Sequence, residues 1–226
     1  MREVIYTDLH WSILRGIRAR ALDLMEYLMD VGFESLVYGS VARGDVSKKS
    51  DLDIFIPYPV PSQLLEYYIM KKTRVFKRVL TQATPSYAVK AYLYISDVDT
   101  VSFPITPLRA GEMDFYRLAA SLNLEELRQD IRKPGINKKL RLIKPTPTGH
   151  LEMPVTMHLE EAARILDVPP ETLMARVKVL TRRSEKGRTG LYISMVLDDN
   201  VSFEEALKKL EVGRPSLRRR LAESGL

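Results

Sequence analysis

The chain has 226 residues, enough for one large domain or two small ones, with 45% hydrophobic and 28% charged residues. It contains no cysteine, which excludes a disulfide framework, a cysteine-ligated zinc site and a thiol nucleophile. No run approaches the roughly 20 apolar residues of a membrane span. The amphipathic start "MREVIYTDLHWSILRGIRARALDL" lacks the pattern of a signal peptide, so a cytoplasmic location is expected.

The net charge of +6 is unevenly placed. Residues 1–112 carry 14 basic and 13 acidic side chains, and residues 113–226 carry 21 and 16. The basic excess therefore lies in the second half, where an anionic polymer is the natural partner. His10, His150 and His158 are too scattered to suggest a zinc cluster.

In chain order, Ile13, Ile17, Ala21, Leu24 and Leu28 recur at helical spacing, which predicts one long helix over 8–31 ended by Gly32. "ESLVYGS" reads as a short buried strand entering a turn, and "DLDIFIP" as a second strand closed by prolines. "SQLLEYYIMKK" is expected to be a helix. "RVFKRVLTQ", "YAVKAYLYIS" and "DVDTVSFPI" are β-rich runs. The pattern is α+β, a small mixed sheet flanked by helices over residues 1–112. A helix over 113–132 and the basic stretch "RKPGINKKLRLIKPTPTGH" make residues 113–150 a helix plus hinge.

Residues 151–226 contain a weak repeat. "EEAARILDVPPETLMARV" (160–177) aligns with "EEALKKLEVGRPSLRRRL" (204–221) at an offset of 44 residues. Each copy reads as helix, tight turn and basic helix, the outline of a helix-turn-helix. The expected fold therefore closes with a mainly helical, helix-turn-helix-like C-terminal region. Arg176, Arg182, Arg183, Arg218, Arg219 and Arg220 are its candidate nucleic-acid contacts. A helical hairpin with a solvated basic face has the same outline.

The segment richest in chemistry is "YGSVARGDVSKKSDLDIFI", residues 38–56. Asp51 and Asp53 lie two apart on an expected strand, so both carboxylates emerge on one face. Two such charges repel, and a hard divalent ion neutralises them; Mg²⁺ binds through one or two carboxylates plus phosphate oxygens and water. Gly39 and Ser40 follow a strand and open a helical turn, where amides and a hydroxyl can hold phosphate oxygens. Arg43, four positions on, is a candidate for the same phosphates. The Walker A spacing is absent.

This arrangement, G-S-x₁₀-D-x-D flanked by apolar strand residues, resembles the signature of the DNA polymerase β nucleotidyltransferase superfamily. It looks most like the small prokaryotic members, over residues 30–105. The resemblance implies an enzyme that moves NMP from an NTP to a hydroxyl acceptor and releases pyrophosphate. It implies Gly39, Ser40 and Arg43 on the triphosphate and two Mg²⁺ ions on Asp51 and Asp53. A third carboxylate, Asp99 of "VDTVSF" with Asp97 as competitor, would complete the metal set. With the basic second half, the expected partners are the NTP and a nucleic-acid acceptor, or a protein acceptor, and no membrane. The alternative is a DNA-binding regulator or antitoxin-like protein with a nucleotide-binding domain of this kind.

Overall fold

The computed structural model describes residues 1–109, 111–187 and 190–225. After a short strand β1 (Arg2–Ile5), Thr7 caps helix α1 (Asp8–Asp30) by accepting a hydrogen bond from the His10 amide. The inward stripe of α1 is Leu14, Ile17, Ala21, Leu24 and Leu28, and the helix gives out at Val31 before Gly32, whose φ is +92°. Then come β2 (Leu36–Tyr38), the four-residue helix α2 (Ser40–Arg43) and β3 (Leu52–Phe55). Helix α3 (Ser62–Lys72) and strands β4 (Lys77–Gln82), β5 (Val89–Tyr94) and β6 (Asp99–Pro104) follow. Up to this point the elements lie where the apolar periodicity puts them.

Residues 113–150 are not a helix and hinge. The expected helix breaks into α4 (Asp114–Ala119) and α5 (Leu124–Arg128), with strand β7 (Ser121–Leu122) between them. The break is local in origin: Ala120 takes φ +64°, and Asn123 forms a capping box with Glu126 that starts a new helix. The basic stretch folds into β8 (Gly135–Ile136), β9 (Arg141–Thr146) and the start of β10 (Gly149–Pro154). Together with β1 they form a small antiparallel sheet in the order β1-β10-β9-β8. An adjacent apolar pair within the charge, Leu142 and Ile143 between Arg141 and Lys144, is buried and made this possible.

The C-terminal third is α6 (Leu159–Leu166), α7 (Pro170–Lys186), β11 (Ile193–Leu197), α8 (Phe203–Glu211) and α9 (Pro215–Ala222). Each repeat copy is a pair of helices, but the two copies have separate fates. Ala162, Ala163, Leu166, Val168 and Leu173 of the first pair pack on Leu142 and Met153 of the small sheet. The second pair returns to the first core through Phe203, Ala206, Leu207, Leu217 and Leu221. β11 adds an antiparallel edge strand beside β4. Helices from residues 151–226 thus contribute to both apolar clusters.

Among the described residues the main sheet is mixed, in the order β11-β4-β5-β6-β3-β2-β7, with β3 and β6 parallel. Register assigns its two faces. Leu52, Ile54, Ala91, Leu93, Val101 and Phe103 share the face buried in the core with α1, α3 and α8. Asp53, Phe55, Thr100, Ser102, Tyr92 and Tyr94 share the other, and strand alternation adds Tyr38 to it. The candidate site is on this second face.

Candidate active site

Strand β2 delivers the chain into the turn Gly39–Ser40. Gly39 has φ +82° and ψ −140°, a conformation closed to side chains with a Cβ, and nothing lies within 4 Å of where that Cβ would be. Backbone conformation rather than crowding demands glycine, and the space over the turn is open. The Gly39 amide donates to the Ala120 carbonyl at 2.9 Å, which fixes the turn against β7. As in any first helical turn, the amides of Ser40, Val41 and Ala42 have no acceptor within their own helix. Buried Arg18 of α1 holds α2 from behind, donating to the Val41 carbonyl at 3.0 Å and the Ile131 carbonyl at 2.8 Å.

The Gly-Ser turn and the aspartates meet. Ser40 Oγ donates to Ser50 Oγ at 3.4 Å, and Ser50 immediately precedes Asp51. Asp51 stands at the mouth of strand β3 with its side chain 44% exposed, and Asp53 lies deeper on the same face. Thr100 Oγ1 donates to Asp53 Oδ1 at 2.7 Å across the parallel β3–β6 pair. Burial pushes the Asp53 carboxyl up to about 6, with the Thr100 hydrogen bond opposing and the Asp51 charge adding to the rise. Asp53 is thus a carboxylate held where charge is costly, as a ligand site requires.

Two candidates are diverted. Arg43 is 5% exposed and ion-paired to Asp45 at 2.9 Å; its Nη1 donates to the Ala119 carbonyl at 2.6 Å and the Ile136 carbonyl at 3.4 Å. All of its directions are used inward, so it buttresses the turn and does not face a triphosphate. Asp99 is the second of the two. Its register partner is Leu52, not Asp53, which puts its side chain on the core face of the sheet. There it accepts from the Leu52 amide at 3.3 Å and pairs with Arg20 of α1 at 3.3 Å. The hydroxyl of Thr100 occupies the place beside Asp53. Asp97 is exposed in the β5–β6 turn. Among the described residues no group of three or more His, Cys, Asp or Glu side chains is placed to hold a metal ion.

The donor set nevertheless suits one hard divalent ion: two carboxylates on one face, one partly open, beside space for phosphate oxygens and water. Asp99, which the resemblance assigns to the metal set, still acts on Asp53 through its charge.

Tyr38 and Tyr92 line the sheet beyond Asp53, and their phenols are pushed up, Tyr92 to about 12, by burial and then by the Asp53 charge. Tyr116 of α4 stacks on Phe55 at 3.9 Å and meets Tyr38 edge-on at 5.0 Å, closing that end of the face. Alternation from Asp53 through the neighbouring strands is the signal that points to these aromatics. Lys138, 3.6 Å from Asp51, was hidden in the basic stretch.

The arginines have mixed fates. Arg176 lies over the Phe115 ring at 4.7 Å, and Phe115 in turn meets Tyr38 at 6.0 Å, so α7 lies beside the site. Arg182 and Arg219 are exposed, and Arg218 is exposed but pairs with Glu211 at 3.5 Å. Arg220 is 6% exposed, donates to the Pro107 carbonyl and pairs with Glu223, so it is an anchor of α9 and is withdrawn as a nucleic-acid contact. The Arg183 side chain lies outside the described residues.

Residues 25–104 match the family model of the nucleotidyltransferase domain, a match that ends with β6 and leaves α4 onward outside it. That segment, about a third of the chain, is similar to nucleotidyltransferase domains. No curated protein and no solved structure matches the chain. No helix among the described residues is long and apolar enough to cross a membrane.

Proposed function

We propose that the protein transfers a nucleoside monophosphate from an NTP to a hydroxyl on a nucleic acid, releasing pyrophosphate. The observation that carries this reading is the junction of two parts. The Gly39–Ser40 turn, open above its backbone, touches through Ser50 the strand that bears Asp51 and Asp53. An anion-holding turn beside a carboxylate pair is what an NTP with a divalent ion needs.

The chain's own groups divide the work. The turn amides and Ser40 Oγ orient the terminal phosphates. Asp51 and Asp53 would hold Mg²⁺, which when bound supplies charge neutralisation on the phosphate oxygens. Thr100 keeps the Asp53 carboxylate oriented. Tyr38, Tyr92 and Phe55, with Tyr116 stacked over it, wall the site and limit water. Catalysis is then mainly positioning and electrostatics.

Nucleic acid is preferred to protein as acceptor because α7, with Arg176 and exposed Arg182, lies beside the site, and exposed Lys138 reaches Asp51. The test is incubation with each α-labelled NTP and Mg²⁺ in the presence of total RNA, DNA or protein. Label on RNA or DNA that is lost with Asp53→Asn is expected. Label on protein alone would replace the acceptor.

One observation favours a second reading. The diversion of Asp99 to Arg20 leaves two carboxylates on the site face, as suits a domain that binds nucleotide and regulates without turnover. NTP binding with no label on any acceptor and steep, salt-dependent duplex binding would favour it.

A further inference from the structure

Among the described residues the site face holds two carboxylates, and Arg43 is turned inward, away from them. The cation that does reach them comes from far along the chain. Lys138 Nζ lies 3.6 Å from Asp51 Oδ2, with the lysine side chain 83% exposed. Its position is built. β8 and β9 are joined by a tight turn in which Asn137 Oδ1 accepts from the amides of Lys139 at 2.9 Å and Arg141 at 3.1 Å. Leu140 closes the turn with φ +55° and its amide on the Asn137 carbonyl at 3.1 Å. Lys138 is at the tip.

The base of this hairpin is tied to the Gly-Ser turn. Arg43 Nη1 donates to the Ile136 carbonyl, and the Lys133 amide donates to the Ala42 carbonyl at 3.1 Å. Gly135 passes so close to Ala119 and Ala120 that an added Cβ would lie 2.7 Å from the Ala120 nitrogen. The hairpin and the phosphate turn therefore form one unit. An exposed lysine–carboxylate pair at this distance is weak and easily exchanged. A divalent ion held by Asp51 would compete with Lys138 for that carboxylate, and the hairpin that carries Lys138 is tied to the helical turn that Gly39 opens.

We propose that Lys138 is the cation this site turns onto the phosphates of its nucleotide, and that Arg43 is a positioning residue that holds the hairpin presenting it. This rests on the reading of the Asp51–Asp53 site as an NTP site. Lys138 is exposed, so removing its charge leaves the fold intact.

The experiment is calorimetric titration of the full chain with magnesium tripolyphosphate and with each magnesium NTP. The proteins are wild type, Lys138→Met, Lys138→Arg and Lys139→Met. Loss of one charge-assisted contact is expected to weaken tripolyphosphate and NTP alike by about 10- to 100-fold in Lys138→Met. Lys138→Arg should recover most of the affinity, and Lys139→Met should stay within about twofold of wild type. Wild-type binding with an unchanged Lys138→Met overturns the inference and leaves the site reading standing. An equal loss in Lys139→Met overturns it too, because the effect is then bulk charge. Absence of binding of every probe by wild type overturns the site reading and the inference with it.

Discussion

Asp53 sits in a hydrogen bond with Thr100 on a sheet face where its charge is poorly solvated, and its carboxyl is pushed up to about 6. A folded-state value above the unfolded one of 3.8 means the ionised group opposes folding. The penalty is absent below pH 4, grows between pH 4 and 6, and is complete above. Asp53→Asn is therefore expected to raise stability by about 2–3 kcal/mol at pH 7.5 and to change it little at pH 3.5. Denaturant melts at the two pH values check this; a mutant less stable at pH 7.5 would contradict it. Asp99 has the opposite character. It caps the Leu52 amide and answers Arg20, so Asp99→Ala should cost about 1–3 kcal/mol of stability while reducing nucleotide transfer less than Asp53→Asn. Melts with transfer rates per folded molecule would decide, and equal loss of transfer would return Asp99 to the site. At this scale the local motif was legible. Gly39, Ser40, Asp51 and Asp53 are near one another in sequence and stay so in space. Arg43 and Asp99 have partners 76 and 79 residues away, and no spacing rule reveals those.

The helices and strands of residues 8–104 follow from periodicity and from caps such as Thr7. The segment after them did not read as cleanly. Ala120 in a left-handed conformation interrupts an apolar pattern that otherwise continues, although the Asn123–Glu126 box marks a new start. The basic run looked solvated, yet its apolar residues Ile136 and Leu142 are buried in the second apolar cluster. The repeat was visible as helices, while its packing was not: α8 and α9 complete the first core, with Phe203 meeting Phe103 edge-on at 5.9 Å. Leu217, fully buried in α9, is the check. Leu217→Ala should destabilise the whole cooperative unit, including residues 25–104, by about 2–5 kcal/mol. Hydrogen exchange of β5 and β6 amides reads it; unaltered protection there would mean that α9 is an independent element.

Across the molecule, the basic excess of the second half is split between anchoring and exposure. Arg220 and the hairpin-facing Arg132, which donates to the Gly149 carbonyl at 2.9 Å, hold structure together. Lys138, Lys139, Arg182 and Arg219 remain exposed, and Arg176 stacks over Phe115 beside the site. RNA or DNA binding is expected to fall steeply with salt, and Arg182→Glu to weaken it about equally for unrelated sequences. Filter binding between 50 and 200 mM salt checks this, and salt-insensitive binding would contradict it. The central claim is that the Gly39–Ser40 turn and the Asp51–Asp53 pair form one nucleotidyl-transfer site. Its most direct test is magnesium-dependent pyrophosphate release from each NTP with RNA present, in wild type and in Asp51→Asn plus Asp53→Asn. Release by the wild type that drops at least about 100-fold in the double variant is expected. Release that persists in the folded double variant would contradict it.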